Sequence, residues 1–203
     1  MIRFLAVLTI ALGLPALAGA AAPASAEENP ACAAAMPLLD EAARGEAQGR
    51  AALRPPPSAS RMLTFTGPDG ALLTAPGDDG RSGWFTIESD LPVEVAPPAL
   101  ATIRAFTGAS PASATDCADF LREALARGLR LVRETEKPRL RGGLYAVRIQ
   151  TVGLPVVSPD GAEALAYVDS TAGPLAGGGN LVLLRRAADG GWTIAGRLVL
   201  WIS

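Results

Sequence analysis

Residues 144–203 constrain the fold most strongly, because four runs, 144–157, 162–170, 181–187 and 192–202, read as strands separated by turn chemistry. The separators are Ser158-Pro159-Asp160-Gly161, the glycine tract 173–180 and Ala188-Asp189-Gly190-Gly191, each supplying the Gly, Pro or Asp that a tight reversal uses. In the first run Tyr145, Val147 and Ile149 oppose Arg148 and Gln150, and in the last Trp192, Ile194, Leu198, Leu200 and Ile202 share one face. Parallel pairing needs a crossover of about a dozen residues or more, so these short connections predict an antiparallel four-stranded meander.

The preceding part reads as helices and short strands. Leu38, Leu39, Ala42 and Ala43 recur at helical spacing within 37–49. Pro55-Pro56-Pro57-Ser58 breaks the chain into an extended connection, and strands are expected at 62–66, 71–75 and 84–88, the first two joined by Gly67-Pro68-Asp69-Gly70. Asp90-Leu91-Pro92 suggests a helical turn, and Pro97-Pro98 opens a brief helix carrying Leu100, Ile103 and Phe106. A further helix begins over Ser113 to Asp116, with Cys117, Leu121, Ala124 and Leu125 as its core stripe. The expected class is α+β, with two or three short helices on one side of an antiparallel sheet.

The N-terminus places this fold in a compartment. Arg3, the apolar run 4–14, the break at Pro15 and the small residues Ala24-Ser25-Ala26 before Glu27-Glu28 form a secretory signal pattern, with cleavage expected near Ala26. The run is interrupted by Gly13 and Pro15 and is shorter than the roughly 20 apolar residues of a membrane span. Cys32 follows Asn29-Pro30-Ala31, which is no lipoprotein signal. The expected organisation is a signal peptide at 1–26 and one domain at 27–203, its helical part at 27–130 and its meander at 131–203, in the periplasm or secreted. Such compartments are oxidising, so Cys32 and Cys117, the two cysteines of the chain, are expected to pair across about 85 residues. Two buried thiols or a reactive thiol are the alternatives. Chain entropy values such a closure at roughly 4.5 kcal/mol as an upper figure.

Composition argues against several chemistries. The chain has no histidine, which removes the usual base of serine and cysteine triads and the common zinc ligand. Gly108-Ala109-Ser110 and Ser113 lack the glycines of a nucleophile elbow, and Lys137 has no Ser-x-x-Lys partner. The tract 173–180 leads into Leu181-Val182-Leu183-Leu184 rather than a helix N-terminus, so a hairpin or bulge is expected instead of a phosphate loop. Asp69-Gly70 and Asp78-Asp79-Gly80 read as turns, and Asp116, Asp119 and Glu123 as a solvated helix face. Trp84, Trp192 and Trp201 read as packing residues. No catalytic, cofactor or metal residue is assigned. Signal removal takes Arg3 from 18 basic residues against 20 acidic ones, so the net charge moves from −2 to −3 and no nucleic-acid partner is implied. The local exception is 127–148, where Arg127, Arg130, Arg133, Lys137, Arg139, Arg141 and Arg148 face only Glu134 and Glu136, a net +5 that suits an anionic partner if the charges share a face.

Ser158-Pro159-Asp160-Gly161 with Ala164-Leu165-Ala166-Tyr167-Val168, then Gly173-Pro174-Leu175-Ala176-Gly177-Gly178-Gly179, Leu183-Leu184, Gly191-Trp192-Thr193-Ile194 and Leu200-Trp201-Ile202-Ser203, resembles the end of a family of uncharacterised exported bacterial proteins. In that family the glycine hairpin often carries cysteines, where this chain has Ala172 and Ala176 nearby. The resemblance implies no known activity. The order of elements and the Asp-Gly-Gly-Trp-x-Ile turn are also similar to NTF2-like cone folds, which implies an isomerase or hydrolase using a carboxylate such as Asp169 in a sheet-lined pocket. The leading expectation is a non-enzymatic periplasmic binding or accessory module, with an envelope protein or anionic ligand as partner; an inhibitor or partner of an envelope hydrolase is the third.

Overall fold

The computed structural model describes residues 29–44, 51–54, 83–88, 91–110, 112–132 and 139–203. The expected signal peptide, the Pro55-Pro56-Pro57-Ser58 break, the strands expected at 62–66 and 71–75, Asp69, Asp78, Asp79, Arg133 and Lys137 lie outside these residues. In chain order the elements are α1 (Pro30–Arg44), β1 (Ala51–Arg54), β2 (Phe85–Glu88), β3 (Leu91–Glu94), α2 (Leu100–Gly108), a 3-10 turn (Ala114–Asp116), α3 (Ala118–Ala126), β4 (Arg130–Leu131), β5 (Leu140–Arg141), β6 (Leu144–Tyr145), β7 (Arg148–Val152), β8 (Val156–Val157), β9 (Glu163–Gly173), β10 (Ala176–Arg186) and β11 (Trp192–Ile202). The main sheet runs β3-β2-β11-β10-β9-β7-β1-β4, with β8 also on β9, while β5 and β6 form a separate ribbon. Pairing is antiparallel except that β1 lies parallel to both β7 and β4. The class is α+β, as expected.

The expected run 144–157 is three strands rather than one. Gly153 still bonds to Tyr167 across the sheet, but the Leu154 N–H donates to the Ala112 carbonyl at 2.8 Å, and Pro155 has no N–H with which to continue the ladder. The segment at Leu91-Pro92, expected as a helical turn, is the edge strand β3, paired along its length with β2. The glycine tract is mostly strand: β9 and β10 span 11 residues each, so the reversal is confined to Pro174 and Leu175.

α1 starts seven residues before Pro37. Asn29 caps it, its side-chain oxygen accepting from the Ala31 N–H at 3.0 Å, and Pro30 takes the first helical position, where a missing N–H costs nothing. The helix continues through Pro37 with Leu38, Leu39 and Ala42 in the core.

The helices do not share one side of the sheet. α1 and α3 pack on one face, over Ala164, Ala166 and Val168 of β9 and Val182 and Leu184 of β10. On the other face Ile103 and Phe106 of α2 join Trp84, Leu165, Tyr167, Leu181, Leu183 and Leu198. Central strands therefore bury both faces, which is why β9 and β10 read as continuous apolar runs instead of clean alternations. Glu163 fixes α2 from the sheet: its carboxylate accepts from the Ala99 N–H at 2.8 Å, the Thr102 hydroxyl at 2.9 Å and the Arg185 guanidinium at 3.1 Å. Ala99 has no side chain to cap the helix, so Glu163 supplies the oxygen from 64 residues away in sequence.

Cys32 and Cys117 are bonded, with Cα atoms 5.6 Å apart, tying the first turn of α1 to the start of α3. The core stripe of α3 is Cys117, Phe120 and Ala124, with Leu125 52% exposed. The expected stripe is thus rotated by about one position: the larger ring of Phe120 takes the core, and Leu125 turns to solvent.

β11 departs from its expected parity for a local reason. Leu183 pairs with Gly196 and Leu184 with Ile194, leaving Ala195 as an extra residue, and a second irregularity skips Leu200. Each extra residue moves the following side chains to the other face. Trp192 and Ile194 consequently join the α1/α3 core, Leu198 and Leu200 join the α2 core, and Ile202 is 80% exposed.

Candidate functional site

Among the described residues, two places that combine aromatic and ionisable side chains stand out. The first is an open groove of about 680 Å³ between α1 and the start of β11, lined by Ala33, Met36, Pro37, Trp192, Thr193 and Ile194. Its geometry follows from the disulfide, which holds the first turn of α1, and from the Asp189-Gly190-Gly191 turn, where the Asp189 carboxylate accepts from the Gly191 N–H at 2.9 Å. Asp40 and Arg127 stand at its rim as an ion pair, and Arg127 also bonds Glu123 at 2.9 Å. The guanidinium between two carboxylates is held above its ordinary pKa, chiefly by the Asp40 hydrogen bond. Further along the same face, Arg197 of β11 pairs with Glu41 of α1.

The second place is a row running across the sheet. Arg54, Thr151, Asp169, Gly179 and Trp201 are successive register partners on β1, β7, β9, β10 and β11. A side chain at Gly179 would overlap the Trp201 indole, and a Cβ at Gly177 would come within 3.3 Å of the same ring. The glycines therefore let the indole lie over β10 and donate its N–H to the Tyr167 hydroxyl at 3.2 Å. Asp169 lies beside Thr151 in register and two residues along its own strand from Tyr167, with Arg54 as the nearby cation. Burial pushes the Asp169 carboxyl above its ordinary range against those stabilising neighbours, and burial followed by the Asp169 charge pushes the Tyr167 phenol up as well.

The groove and the row are separate. Asp169, the carboxylate expected to serve a pocket, does not line the groove. Ser113 and Asp116 form a reciprocal cap on the 3-10 turn, Asp119 pairs with Arg122, and Glu123 pairs with Arg127. The described basic residues of 127–148 are distributed over the α3 terminus (Arg127), β4 (Arg130), the β5 region (Arg139, Arg141) and β7 (Arg148). Trp84 is in the core. The Ser158-Pro159-Asp160-Gly161 motif is a tight turn in which the Asp160 carboxylate accepts from the Ser158 hydroxyl at 2.5 Å and the Ala162 N–H at 3.0 Å. The Ser158 bond, first, and the Ala162 bond hold the Asp160 carboxyl below its usual range.

Among the described residues no group of three or more Cys, Asp or Glu side chains is placed to hold a metal, and no helix is long and apolar enough to cross a membrane. No family model, curated protein or solved structure matches the chain.

Sequence reasoning missed the contribution of Ala33 and Met36, because it began α1 at Pro37; the Asn29-Pro30 cap was the available signal. It also missed the glycines as a seat for Trp201. Three consecutive glycines inside a strand, opposite a terminal tryptophan, are the signal for that close approach.

Proposed function

We propose that the chain is an exported periplasmic protein acting as a non-enzymatic binding or accessory module, and that it engages its partner through the groove between α1 and the start of β11. The signal pattern at 1–26 supports export, and the C-terminal strands are read as a meander serving as the scaffold. The observation that carries the proposal is the composition of the groove: Trp192, Ile194 and Met36 offer an apolar floor while Asp40 and Arg127 neutralise each other at the rim. An aromatic residue in a concavity with a polar rim is the usual makeup of a recognition hot spot. An envelope protein presenting an apolar side chain fits this chemistry. The alternative, an NTF2-like isomerase or hydrolase, draws on the raised Asp169 carboxyl. Against it, that carboxylate does not line the groove.

A photo-reactive phenylalanine analogue replacing exposed Thr193 tests the proposal in the intact envelope. One discrete adduct is expected, absent when the same probe replaces Leu175 at the β9–β10 turn. Equal adducts at both positions, or none at Thr193, would overturn the reading.

A further inference from the structure

The end of the sheet away from the groove gathers apolar side chains that the core does not use. Leu175, in the reversal between β9 and β10, is 86% exposed; Ile202 at the end of β11 is nearly as exposed, and Leu140 and Leu144 of the β5–β6 ribbon are more than half exposed. Scattered singly such residues are ordinary, but these lie together. A Cβ on Gly173 would come within 3.0 Å of the Gly143 carbonyl oxygen and 3.2 Å of the Leu144 Cδ2, so the ribbon sits against the start of the Pro174-Leu175 reversal. Just past the reversal, Gly177 exchanges both backbone bonds with Ser203, and Gly178 is the register partner of Ile202. The ribbon itself projects. Arg141 pairs with Leu144 across Gly142 and Gly143, whose φ angles of 57° and 84° make a tight two-residue reversal, and a Cβ on either glycine would meet nothing within 4 Å. Arg139 and Arg141 are exposed beside the leucines, and Arg148 opens β7 one residue before the Ile149–Thr171 pair, at the same end of the sheet. The stretches 139–148, 170–180 and 198–203 hold these three arginines and no Asp or Glu.

We propose that this end of the sheet docks on an anionic phospholipid surface, with Leu140, Leu144, Leu175 and Ile202 entering the boundary between headgroups and acyl chains and Arg139 and Arg141 meeting lipid phosphates. The shape of the patch selects a lipid surface over a protein partner. Its apolar side chains stand on projecting turns, which a rigid partner could cover only with a separate pocket for each, whereas a fluid interface closes around projections of any outline. The charge selects an anionic one. A few apolar side chains alone hold a protein weakly to a bilayer, so lasting attachment needs a second attraction, and basic residues beside the inserted tips supply it. The inference is independent of the groove, which lies at the opposite end of β11, and its failure would leave the adduct expected at Thr193 untouched.

The test places the photo-reactive phenylalanine analogue at Leu175 in the full chain, a local readout that lipid binding by the apolar run at 4–14 does not imitate. Irradiation with vesicles of phosphatidylcholine and phosphatidylglycerol at about 7:3 should give phospholipid adducts at position 175, identified by peptide mass. Vesicles of phosphatidylcholine alone should give few. The same analogue at exposed Ala188, in the β10–β11 turn at the other end of the sheet, should give none. Each basic residue near an anionic membrane contributes roughly a fivefold gain in binding, so Arg139→Ala combined with Arg141→Ala should raise the lipid concentration for half-maximal adduct by about tenfold or more. Raising the salt from about 0.1 M to 1 M, which cuts the screening length from about 10 Å to 3 Å, should weaken the adduct in the same direction and needs no variant to fold. No lipid adduct at position 175, equal adducts at position 188, or an adduct indifferent to anionic lipid, to salt or to the two arginines would overturn the proposal. In the intact envelope the probe at position 175 should again recover phospholipid; a protein adduct in its place, or a cross-link between two copies of the chain, would also overturn it.

Discussion

On one face of the sheet Ala164, Ala166, Val168, Val182 and Leu184 meet α1 and α3 in a continuous apolar layer tied by the Cys32–Cys117 bond. On the other, the apolar cluster of Trp84, Leu165, Leu183 and Leu198 gives way to Thr151, Tyr167 and Asp169. The two faces are made by the same strands, one residue apart. The difference teaches that a strand buried on both sides can assign separate tasks to its alternate residues: one face gains stability from burial and a covalent tie, and the other brings polar side chains of several strands into one row. The proposed groove belongs to the first face, beside the helix that the disulfide ties down.

The comparison breaks most completely if the last strand is removed. Deleting residues 198–203 takes Leu198 and Trp201 from the second face, together with ladder bonds to β10; burial of such side chains is worth roughly 1.5–3 kcal/mol each, a large part of a domain's net stability. The truncated protein should be unfolded or aggregated by circular dichroism and size-exclusion chromatography. A soluble product with an unchanged melting temperature would contradict the strand's structural role.

On the disulfide face, Phe120→Ala should cost about 3–5 kcal/mol and Leu125→Ala within about 0.5 kcal/mol, because the first is fully buried and the second is largely exposed. Urea unfolding of both variants measures this. Equal losses would restore the stripe read from the sequence and displace the packing described here.

Cys117→Ala should lower stability by about 2–5 kcal/mol, and the wild type treated with reductant should fall to a similar value. Non-reducing peptide mapping should recover one linked pair containing Cys32 and Cys117, and freely alkylated thiols in the native protein would contradict the bond. A loss of about 1–3 kcal/mol is expected at Glu163→Gln, since the amide keeps an oxygen for Ala99 or Thr102 but loses the charge facing Arg185. A larger loss there than at Phe120 would mean that polar capping of α2, and not apolar burial, dominates the fold.

How much of this was legible depends on the range of the interactions involved. The turns Ser158-Pro159-Asp160-Gly161 and Asp189-Gly190-Gly191 are local chemistry, and the sequence located both. The disulfide followed from having two cysteines in a chain whose first residues read as an export signal. The side on which each part of β11 packs was not legible, because the extra residue at Ala195 is defined by its partner strand and leaves the apolar alternation in sequence intact. β1 was missed for a similar reason: Ala51–Arg54 has four residues and little pattern, and is a strand because β7 and β4 flank it. Asp169 was named from the sequence only as a carboxylate for the NTF2-like alternative, and its neighbours Thr151, Tyr167 and Trp201 come from three strands that only register assembles. The groove needed the true start of α1, which a proline at position 37 concealed.

The measurement that most directly tests the assignment of partner binding to the disulfide face is an equilibrium titration at neutral pH with the envelope protein captured from position 193. Thr193→Arg, a bulky change at an exposed groove residue, should weaken binding by about tenfold or more, and Asp169→Asn should leave it unchanged. Undiminished binding by Thr193→Arg together with loss in Asp169→Asn would move the functional site to the opposite face and contradict the proposal.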